Sequence, residues 1–397
     1  MSDNKPRGLI VITADAGFAE GHPLWGTYQA LRERLEEIHV VILTRQHVHK
    51  RDRMVKPDEQ TFWYVFRVNG LFFRLRHIWA VLKFHLRWRT VYRPDFVMSL
   101  EPGTMTLLAW FLSWRMRRPF FTRASVQATE LSSGYLVRRW ILRHALRIFV
   151  PGINTAQKIS HTFRIPESHV VPVVPSVDLP ALKLMKDRHD FEKEHQVFNV
   201  FLSSVVHTTA TLHRLVTIHT KVRLQFPRCG LVVIADEALY KKARRIARRH
   251  MGVFVYPMRD TYLSYIKGTS MYIALSIEQD FDVMMIAALG IGMPVVAGAY
   301  GIAKELFPGS PYEQFLCEPG DVHDIVAKVV VLLKDQYLRN QYGLNNPALS
   351  GKIAFATASQ YVTAMMDTIE PLINPPDVHS AALPGTRYVY TDITPRQ

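Results

Sequence analysis

Short runs of apolar and β-branched residues recur along this chain, and stretches with helical spacing lie between them. In the first half such runs lie at residues 9–13, 39–44, 62–68, 96–100, 120–122, 148–150 and 170–175. The rhythm restarts at 198–203 and continues at 231–235, 253–256, 271–275 and 295–297. Strands that alternate with helices form parallel sheets covered by helices on both faces. The sequence therefore predicts an α/β protein with two Rossmann-like domains.

A polar, charge-rich stretch separates the two series and sets the predicted domain boundaries. We predict a first domain at residues 1–177, a linker at 178–196 and a second domain at 197–352. A length of 397 residues suits two cores better than one. A helical pattern at 353–373 ends at Pro375 and Pro376, and the tail at 374–397 is predicted to be irregular.

Composition limits the class of protein. A hydrophobic content of 48% with 21% charged residues is typical of a globular chain. The two cysteines, Cys229 and Cys317, argue against a disulfide scaffold or a thiolate metal site and suit a reducing compartment. No signal-peptide pattern and no run of about 18 apolar residues occurs. The sequence thus predicts a cytoplasmic protein, either soluble or peripheral at the inner face of a membrane.

Positive charge is concentrated in the first half of the chain. The formal net charge is +15, and residues 1–177 contain 26 Lys and Arg against 13 Asp and Glu. This imbalance favours an anionic partner, which is a membrane surface, a nucleic acid or a charged acceptor. General solubility is the alternative explanation. No nucleic-acid motif accompanies the charge, so nucleic acid is the least favoured partner.

Several short motifs follow one another in a characteristic order. Arg-Pro-Asp-Phe-Val stands at 93–97, Gly-Ile-Gly-Met-Pro-Val-Val-Ala at 290–297 and Glu-Pro-Gly-Asp at 318–321. Segments 145–158, 165–178, 231–239 and 355–369 complete the series, which resembles glycosyltransferase family 4 over about 350 residues. The resemblance implies the GT-B fold, with two Rossmann-like domains facing across a cleft and a C-terminal helix crossing back to the first domain. It also implies transfer of a sugar from a nucleotide-sugar without a metal ion.

The predicted donor site departs from the family pattern. The resemblance places the two glutamates of an E-x7-E motif at Gln279 and Ala287, and two loop glycines at Asp280 and Asp282. Ala287 cannot bind a ribose, and two carboxylates beside a diphosphate repel it. Glu278 lies one residue out of register. The candidate donor-binding residues are Glu278, Gln279, Asp280, Phe281, Asp282, Ser203 and Ser204.

The phosphate grip and the acceptor side also depart from that pattern. Where the family has Arg and Lys after the first strand of the second domain, this chain has Ser203 to Ala210, with only His207 as a potential cation. Arg123 takes the place of the acceptor-side His, and Arg cannot act as a general base. The first loop keeps one of two glycines, Gly21. The catalytic residues are therefore unknown.

The segment 71–92 is predicted to be a helix with two apolar faces. Leu75, Ile78, Leu82 and Leu86 form the face predicted to pack on the sheet. A second stripe, with arginines beside it, suits a membrane interface, while burial in a protein contact, a homodimer or the core are the alternatives. The predicted membrane contacts are Phe73, Arg76, Lys83, Phe84, Arg87 and Trp88, and Val81 lies in the same stripe. Trp110, Trp114 and Trp140, with Arg115, Arg117, Arg118, Arg138 and Arg139, extend this surface.

Two functions compete on these observations. One is a peripheral glycosyltransferase that uses a nucleotide-sugar and a lipid-linked or glycan acceptor, with an atypical donor site. The other is a non-catalytic relative that serves as a partner or scaffold protein. A basic nucleic-acid-binding module is the weakest interpretation. No cofactor or metal ligand pattern occurs, since H-E-x-x-H, P-loop and G-x-S-x-G motifs are absent from the sequence.

Overall fold

The molecule contains two α/β units, each built on its own sheet. A computed structural model describes residues 8–13, 25–44, 53–55, 59–67, 73–88, 94–100, 104–124, 135–174, 177, 190–258, 262–275, 282–318, 320–351 and 357–373. Among these residues, the first sheet has eight strands in the order β3-β4-β2-β1-β5-β6-β7-β8. The second has six in the order β11-β10-β9-β12-β13-β14.

The strands of the first sheet are β1 (Gly8–Thr13), β2 (Glu37–Thr44), β3 (Arg53–Val55), β4 (Thr61–Arg67), β5 (Phe96–Ser99), β6 (Phe120–Arg123), β7 (Arg147–Val150) and β8 (Val170–Pro172). Those of the second are β9 (Phe198–Ser203), β10 (Cys229–Ala235), β11 (Val253–Pro257), β12 (Met271–Ala274), β13 (Val295–Gly298) and β14 (Leu316–Cys317). Every pairing is parallel except that of β3 with β4, which is antiparallel.

The helices of the first half are α1 (Trp25–Arg34), α2 (Phe73–Trp88), α3 (Thr104–Met116), α4 (Tyr135–Arg143) and α5 (Ile153–Phe163). Those of the second half are α6 (Phe191–His195), α7 (Thr209–Arg223), α8 (Glu237–Ala247), α9 (Val283–Gly290), α10 (Ala303–Leu306), α11 (Val322–Lys334), α12 (Gln336–Gly351) and α13 (Ala358–Ile373). None of the described helices is long and apolar enough to cross a membrane.

Each sheet reverses its strand order once, which is the Rossmann arrangement. In the second sheet, β9 lies between β10 and β12, so the chain leaves β9 in one direction and returns on its other side. In the first sheet, β1 lies in the same way between β2 and β5. The predicted pair of Rossmann-like domains is confirmed. The strands β3 and β14 were not predicted, because β3 begins with Arg53 and β14 has two residues, so neither forms an apolar run of three.

Both faces of the first sheet are buried, which explains its continuous apolar strands. Ile10 and Ile12 of β1 point into the core beneath α2 to α5, whereas Leu9 and Val11 point into the core beneath α1 and α13. Side chains alternate between the faces of a strand, so a strand covered on both sides must be apolar throughout.

The last helix packs on the first domain, as the resemblance implied. Tyr361, Val362 and Met365 of α13 are buried together with Tyr28 of α1. The guanidinium of Arg34 on α1 contacts Glu370 at 2.9 Å and Asp367 at 3.2 Å. The predicted crossing of the C-terminal helix is therefore confirmed. The predicted irregular tail at 374–397 lies outside the described residues.

The predicted linker ends in a helix that belongs to the second core. Asp190 caps α6 by accepting a hydrogen bond from the Lys193 amide, and Phe191 is fully buried in the core of the second sheet. The linker residues 178–189 lie outside the described part of the chain.

Helix α2 forms where it was predicted, but its faces are reversed. Val81 and Phe84 are fully buried, and the Phe84 ring meets the Tyr64 ring of β4 with centroids 4.7 Å apart. Ile78 and Leu86, which were predicted to pack on the sheet, are exposed. The prediction of Phe84 as a membrane contact is therefore wrong, because the aromatic side chain fills the space between helix and sheet.

Candidate functional site

The crevice at the carboxyl ends of β9 and β12 is the candidate site of the second domain. Open parallel sheets bind ligands where the strand order reverses, because the loops there diverge and leave a gap. Residues 276–281 follow β12 and lie outside the described part of the chain. The predicted donor residues Glu278, Gln279, Asp280 and Phe281 are among them. Ser203, Ser204 and Asp282 are described.

The two serines at the end of β9 are turned inward. Ser203 and Ser204 are both buried. The Ser203 hydroxyl donates to the Ser204 carbonyl at 2.9 Å, and the Ser204 hydroxyl donates to the Ile273 carbonyl at 3.3 Å. The Ser204 hydroxyl therefore joins the end of β9 to its neighbouring strand β12, and both serine hydroxyls donate within the protein.

The Asp282 carboxylate caps helix α9 at the edge of this crevice. Its Oδ1 atom accepts a hydrogen bond from the Met285 amide at 3.1 Å. The Tyr272 hydroxyl of β12 lies 2.9 Å from Oδ1 and 2.8 Å from Oδ2 of Asp282. Asp282 is only 8% exposed. Asp is a strong N-cap residue because its carboxylate accepts from the amides that begin a helix. The amides that would face an anion at this helix end thus face a side chain of the protein.

The protonation of Asp282 reflects two opposing effects. Burial raises the pKa of its carboxyl, because the charged form loses hydration, and hydrogen bonds from the Tyr272 hydroxyl and the Met285 amide oppose that rise. The carboxyl is thus harder to ionise than an exposed Asp.

The remaining polar residues of this edge pair with each other. The His207 Nδ1 atom lies 3.2 Å from Asp236 Oδ2, and Asp236 Oδ1 accepts from the Leu239 amide at 2.7 Å to cap α8. Ala287, to which the family resemblance assigns the second motif glutamate, is fully buried within α9.

The candidate acceptor side of the first domain is only partly described. Gly21 lies outside the described residues. Arg123 ends β6 on the same face of the sheet as Phe121, and its guanidinium lies 5.9 Å from the centroid of the Tyr361 ring on α13. It lines a cavity of about 10 Å³ with Tyr28, Leu100 and Met365, which is at the lower limit for one water molecule. Arg123 is thus tied to the closing helix.

The predicted membrane stripe is split between described and undescribed side chains. Lys83 is half-buried, and Phe84 is buried, as stated above. The side chains of Phe73, Arg76, Arg87 and Trp88 lie outside what the structure describes.

A carboxylate from the second domain caps a helix of the first. Glu305 of α10 accepts hydrogen bonds from the Asn154 amide at 2.7 Å and the Ile153 amide at 3.3 Å, at the start of α5. Gly152 at the N-cap of α5 has no side chain for this task. Since α5 follows β7 and α10 follows β13, the carboxyl edges of the two sheets face each other at this contact. Sequence reasoning missed Glu305, and the only signal was a helix start without a capping side chain.

No candidate metal site appears among the described residues, where no group of three His, Cys, Asp or Glu side chains could hold an ion.

Comparison with protein families gives one match. Residues 199–335, about a third of the chain, match the family described as glycosyl transferases group 1. These residues contain β9 from its second residue, β10 to β14 and the described residues of the crevice. Comparison with curated protein sequences gives no match.

Comparison with solved structures covers nearly the whole chain. HepE from Anabaena, in complex with UDP and glucose, is 14% identical with a TM-score of 0.70, over 92% of this chain and 99% of that one. Sucrose-phosphate synthase from Thermosynechococcus elongatus is 14% identical with a TM-score of 0.69, over 92% and 99%. Trehalose 6-phosphate synthase from Burkholderia multivorans is 10% identical with a TM-score of 0.69, over 93% and 99%. Residues 199–335 therefore match a glycosyl transferases group 1 domain, and the chain has the GT-B fold.

Proposed function

We propose that this protein is a glycosyltransferase that passes a sugar from a nucleotide-sugar to a lipid-linked or glycan acceptor. The observation that supports this best is a coincidence of place. The crevice at β9 and β12 lies within the residues that match glycosyl transferases group 1. HepE, of the same fold, holds UDP and glucose. In this reaction the bond between the sugar and the nucleoside diphosphate breaks, a glycosidic bond to an acceptor hydroxyl forms, and that hydroxyl loses its proton.

The donor would enter a site with few charges to offer it. A leaving diphosphate needs cations or amides to stabilise its negative charge. The described part of the crevice offers His207, which is paired with Asp236, and the start of α9, where Asp282 already accepts from Met285. Residues 276–281 therefore carry the remaining donor contacts in this proposal, with Glu278 and Gln279 on the sugar.

The cap on α9 favours a second candidate function, a non-catalytic partner or scaffold protein. A diphosphate that reached the start of α9 would meet the Asp282 carboxyl, held there by Tyr272 and by the Met285 amide. Displacing a buried cap costs about 1 kcal/mol or more. In this alternative the protein keeps the fold and the cleft for recognition alone.

Calorimetry with nucleotide-sugars separates the two candidates. The parent and the variant Asp282→Gly are titrated with UDP-glucose, GDP-mannose and their free nucleotides at up to millimolar concentration. The control is Asp190→Gly, which removes the N-cap of α6 away from the crevice. Binding by the parent supports transfer. Binding by Asp282→Gly alone supports the blocked, non-catalytic site. Absence of binding by both proteins contradicts the use of a nucleotide-sugar.

A lipid-linked acceptor requires the protein to work at a membrane surface. We place the protein in the cytoplasm, peripheral at the inner face of a membrane, with its basic first half towards the lipid. A glycan acceptor, a protein partner or a homodimer would make no use of anionic lipid.

A further inference from the structure

Three helices of the first domain present apolar side chains to solvent. Helices α2, α3 and α4 cover one face of the first sheet as neighbours, with their inner residues in a single core. On the outer side Trp114 of α3 is 60% exposed, and Leu136 and Val137 of α4 are 73% and 51% exposed. The exposed apolar residues of this face are Ile78, Trp79, Leu86, Trp114, Leu136, Val137 and Trp140.

Aromatic packing holds two of these tryptophans in place. Trp110 is half-buried between α3 and α4, where its ring lies 4.3 Å from the Trp140 ring and 6.3 Å from the Trp114 ring, centroid to centroid. Trp140 also contacts the His144 ring at 4.5 Å. Because these contacts already restrict both side chains, a partner that covers them orders little further.

Trp110, Trp114 and Trp140 form a tryptophan cluster, and the charge around it has one sign. Helices α2, α3 and α4 contain no Asp or Glu, and Glu130 is the only acidic residue between Pro102 and Pro166. Arg115, Arg117 and Arg118 are exposed at the end of α3. Arg143 is exposed on α4, one turn after Trp140 and two turns after Leu136. Exposed arginines therefore lie beside the exposed apolar residues on α4 and follow Trp114 within four positions at the end of α3.

We propose that this tryptophan cluster and the arginines beside it dock the protein on an anionic lipid bilayer. Exposed Trp side chains settle at the level of the lipid headgroups, arginines bind lipid phosphates, and Leu136 and Val137 enter the acyl boundary. Nucleic acid would stack on the tryptophans but would leave the aliphatic residues in water. A protein partner with acidic residues would satisfy the arginines, and it is the alternative that the test must exclude.

This docking surface would hold the protein at the membrane that contains the proposed lipid-linked acceptor. The inference rests on the proposed function only for the identity of that acceptor. It also differs from the helix stripe that the sequence predicted, since Val81 and Phe84 of that stripe are core residues. The membrane-facing residues of α2 are Trp79 and Leu86, on the opposite side of the helix.

The test is flotation of the full-length protein with vesicles at about 0.1 M salt, where surface charges still act over about 10 Å. The vesicles contain phosphatidylcholine alone or with about a third of phosphatidylserine. We expect the parent to float with the anionic vesicles only. Arg115→Glu with Arg118→Glu should lower the partition coefficient about tenfold or more. Trp114→Ala should lower it about tenfold, because an exposed apolar contact is lost without a change in charge.

The matched control is Lys241→Glu with Lys242→Glu, an equal change of charge at exposed positions of α8 in the second domain. It should float as the parent does. The proposal is overturned if the parent does not bind anionic vesicles, or if the arginine variant floats as well as the parent. It is also overturned if the Lys variant loses as much, or if Trp114→Ala dissociates a dimer while vesicle binding is unchanged. Binding to poly(U) in place of vesicles would overturn it as well.

Calorimetry on the arginine variant keeps this test apart from the proposed function. The substitutions lie on the outer face of the first domain, so nucleotide-sugar binding by Arg115→Glu with Arg118→Glu should equal that of the parent. Loss of vesicle binding with unchanged nucleotide binding supports the docking surface alone. Normal flotation of a protein that binds no nucleotide-sugar supports docking and contradicts sugar transfer.

Discussion

The crevice of the second domain and the outer helices of the first domain use their side chains in opposite ways. In the crevice, the polar groups of Ser203, Ser204 and Asp282 are buried and hydrogen-bonded within the chain. On the outer helices, the large apolar side chains of Trp114 and Leu136 face water. The polar side chains of the crevice, whose chemistry suggests ligand binding, already have hydrogen-bond partners within the protein. The apolar side chains of the outer helices, whose chemistry suggests a core, are not buried.

This difference shows where binding free energy remains available. Burying an exposed Trp or Leu side chain releases roughly 1.5–3 kcal/mol. A hydrogen bond exchanged between a protein partner and a ligand changes the free energy by only about 1 kcal/mol. On this reasoning, the first domain has more to gain from a partner than the described part of the crevice has from a donor.

The largest expected effect tests which face of α2 is the core. Phe84→Ala should lower the free energy of unfolding by about 3–5 kcal/mol, since the ring is fully buried against Tyr64. Trp79→Ala, on the exposed face of the same helix, should change it by less than about 1 kcal/mol. Urea denaturation of both variants decides the matter. A larger loss of stability for Trp79→Ala than for Phe84→Ala would support the orientation of α2 that the sequence predicted. The exposed apolar face of α2 would then not exist.

A second prediction concerns how far Asp282 is withdrawn from the crevice. Burial raises the pKa of this carboxyl in the folded protein, so its contribution to stability is fully present below the unfolded pKa of about 4. That contribution is lost as pH rises through the folded pKa, by about 1.4 kcal/mol for each unit of the rise. Asp282→Asn should remove this dependence.

The measurement is urea denaturation of the parent and Asp282→Asn at several pH values from 4 upwards. The stability of the parent should fall relative to the variant as pH rises. Parallel curves would mean that the carboxyl ionises as easily as in the unfolded chain. Asp282 would then be as accessible to solvent and ligand as an ordinary surface residue, and the contrast with the outer helices would weaken.

The smallest expected effect sharpens the role of the arginines. Arg117 has a left-handed backbone, with φ at 54°, just after the end of α3. Glycine is preferred in that conformation, so Arg117→Gly should raise the free energy of unfolding by roughly 0.5 kcal/mol. It should also weaken vesicle binding, because one cation is removed. A gain in stability together with weaker vesicle binding would show that Arg117 serves membrane binding at a cost to stability.

Arg118→Gly is the matched control for that prediction, because Arg118 has no left-handed backbone and should lose stability when replaced. Thermal denaturation and flotation of both variants provide the two readouts. Equal losses of stability for the two variants would contradict the proposed strain at Arg117.

The fold was predictable because most strands form runs of apolar residues. Buried on both faces, strands such as β1 and β10 are almost entirely apolar. The crossing of the last helix was predicted from the family resemblance that the order of the motifs supports. The orientation of α2 was not predictable in this way. Apolar residues occur on both sides of that helix, and the sequence does not show that Phe84 meets the ring of Tyr64 on β4.

The candidate site was predictable by position and not by contact. Ser203, Ser204 and Asp282 do lie where the two strands β9 and β12 end. The sequence does not show that Tyr272, ten residues before Asp282, donates to its carboxylate, because the pair forms only when β12 and α9 pack. Contacts between separate elements leave little pattern in either segment, and that of Glu305 with α5 left only a helix start without a capping side chain.

The contact of Glu305 with α5 makes the first turn of that helix a reporter of the spacing between the domains. Its carboxylate accepts from the Ile153 and Asn154 amides, so separation of the two sheets would leave those amides without this acceptor and allow the helix end to fray. A Cβ atom on Gly152 would lie 3.0 Å from Glu305 Oε1, so a larger residue there would push the carboxylate away. Hydrogen exchange at two amides of the first domain therefore follows the motion of the second.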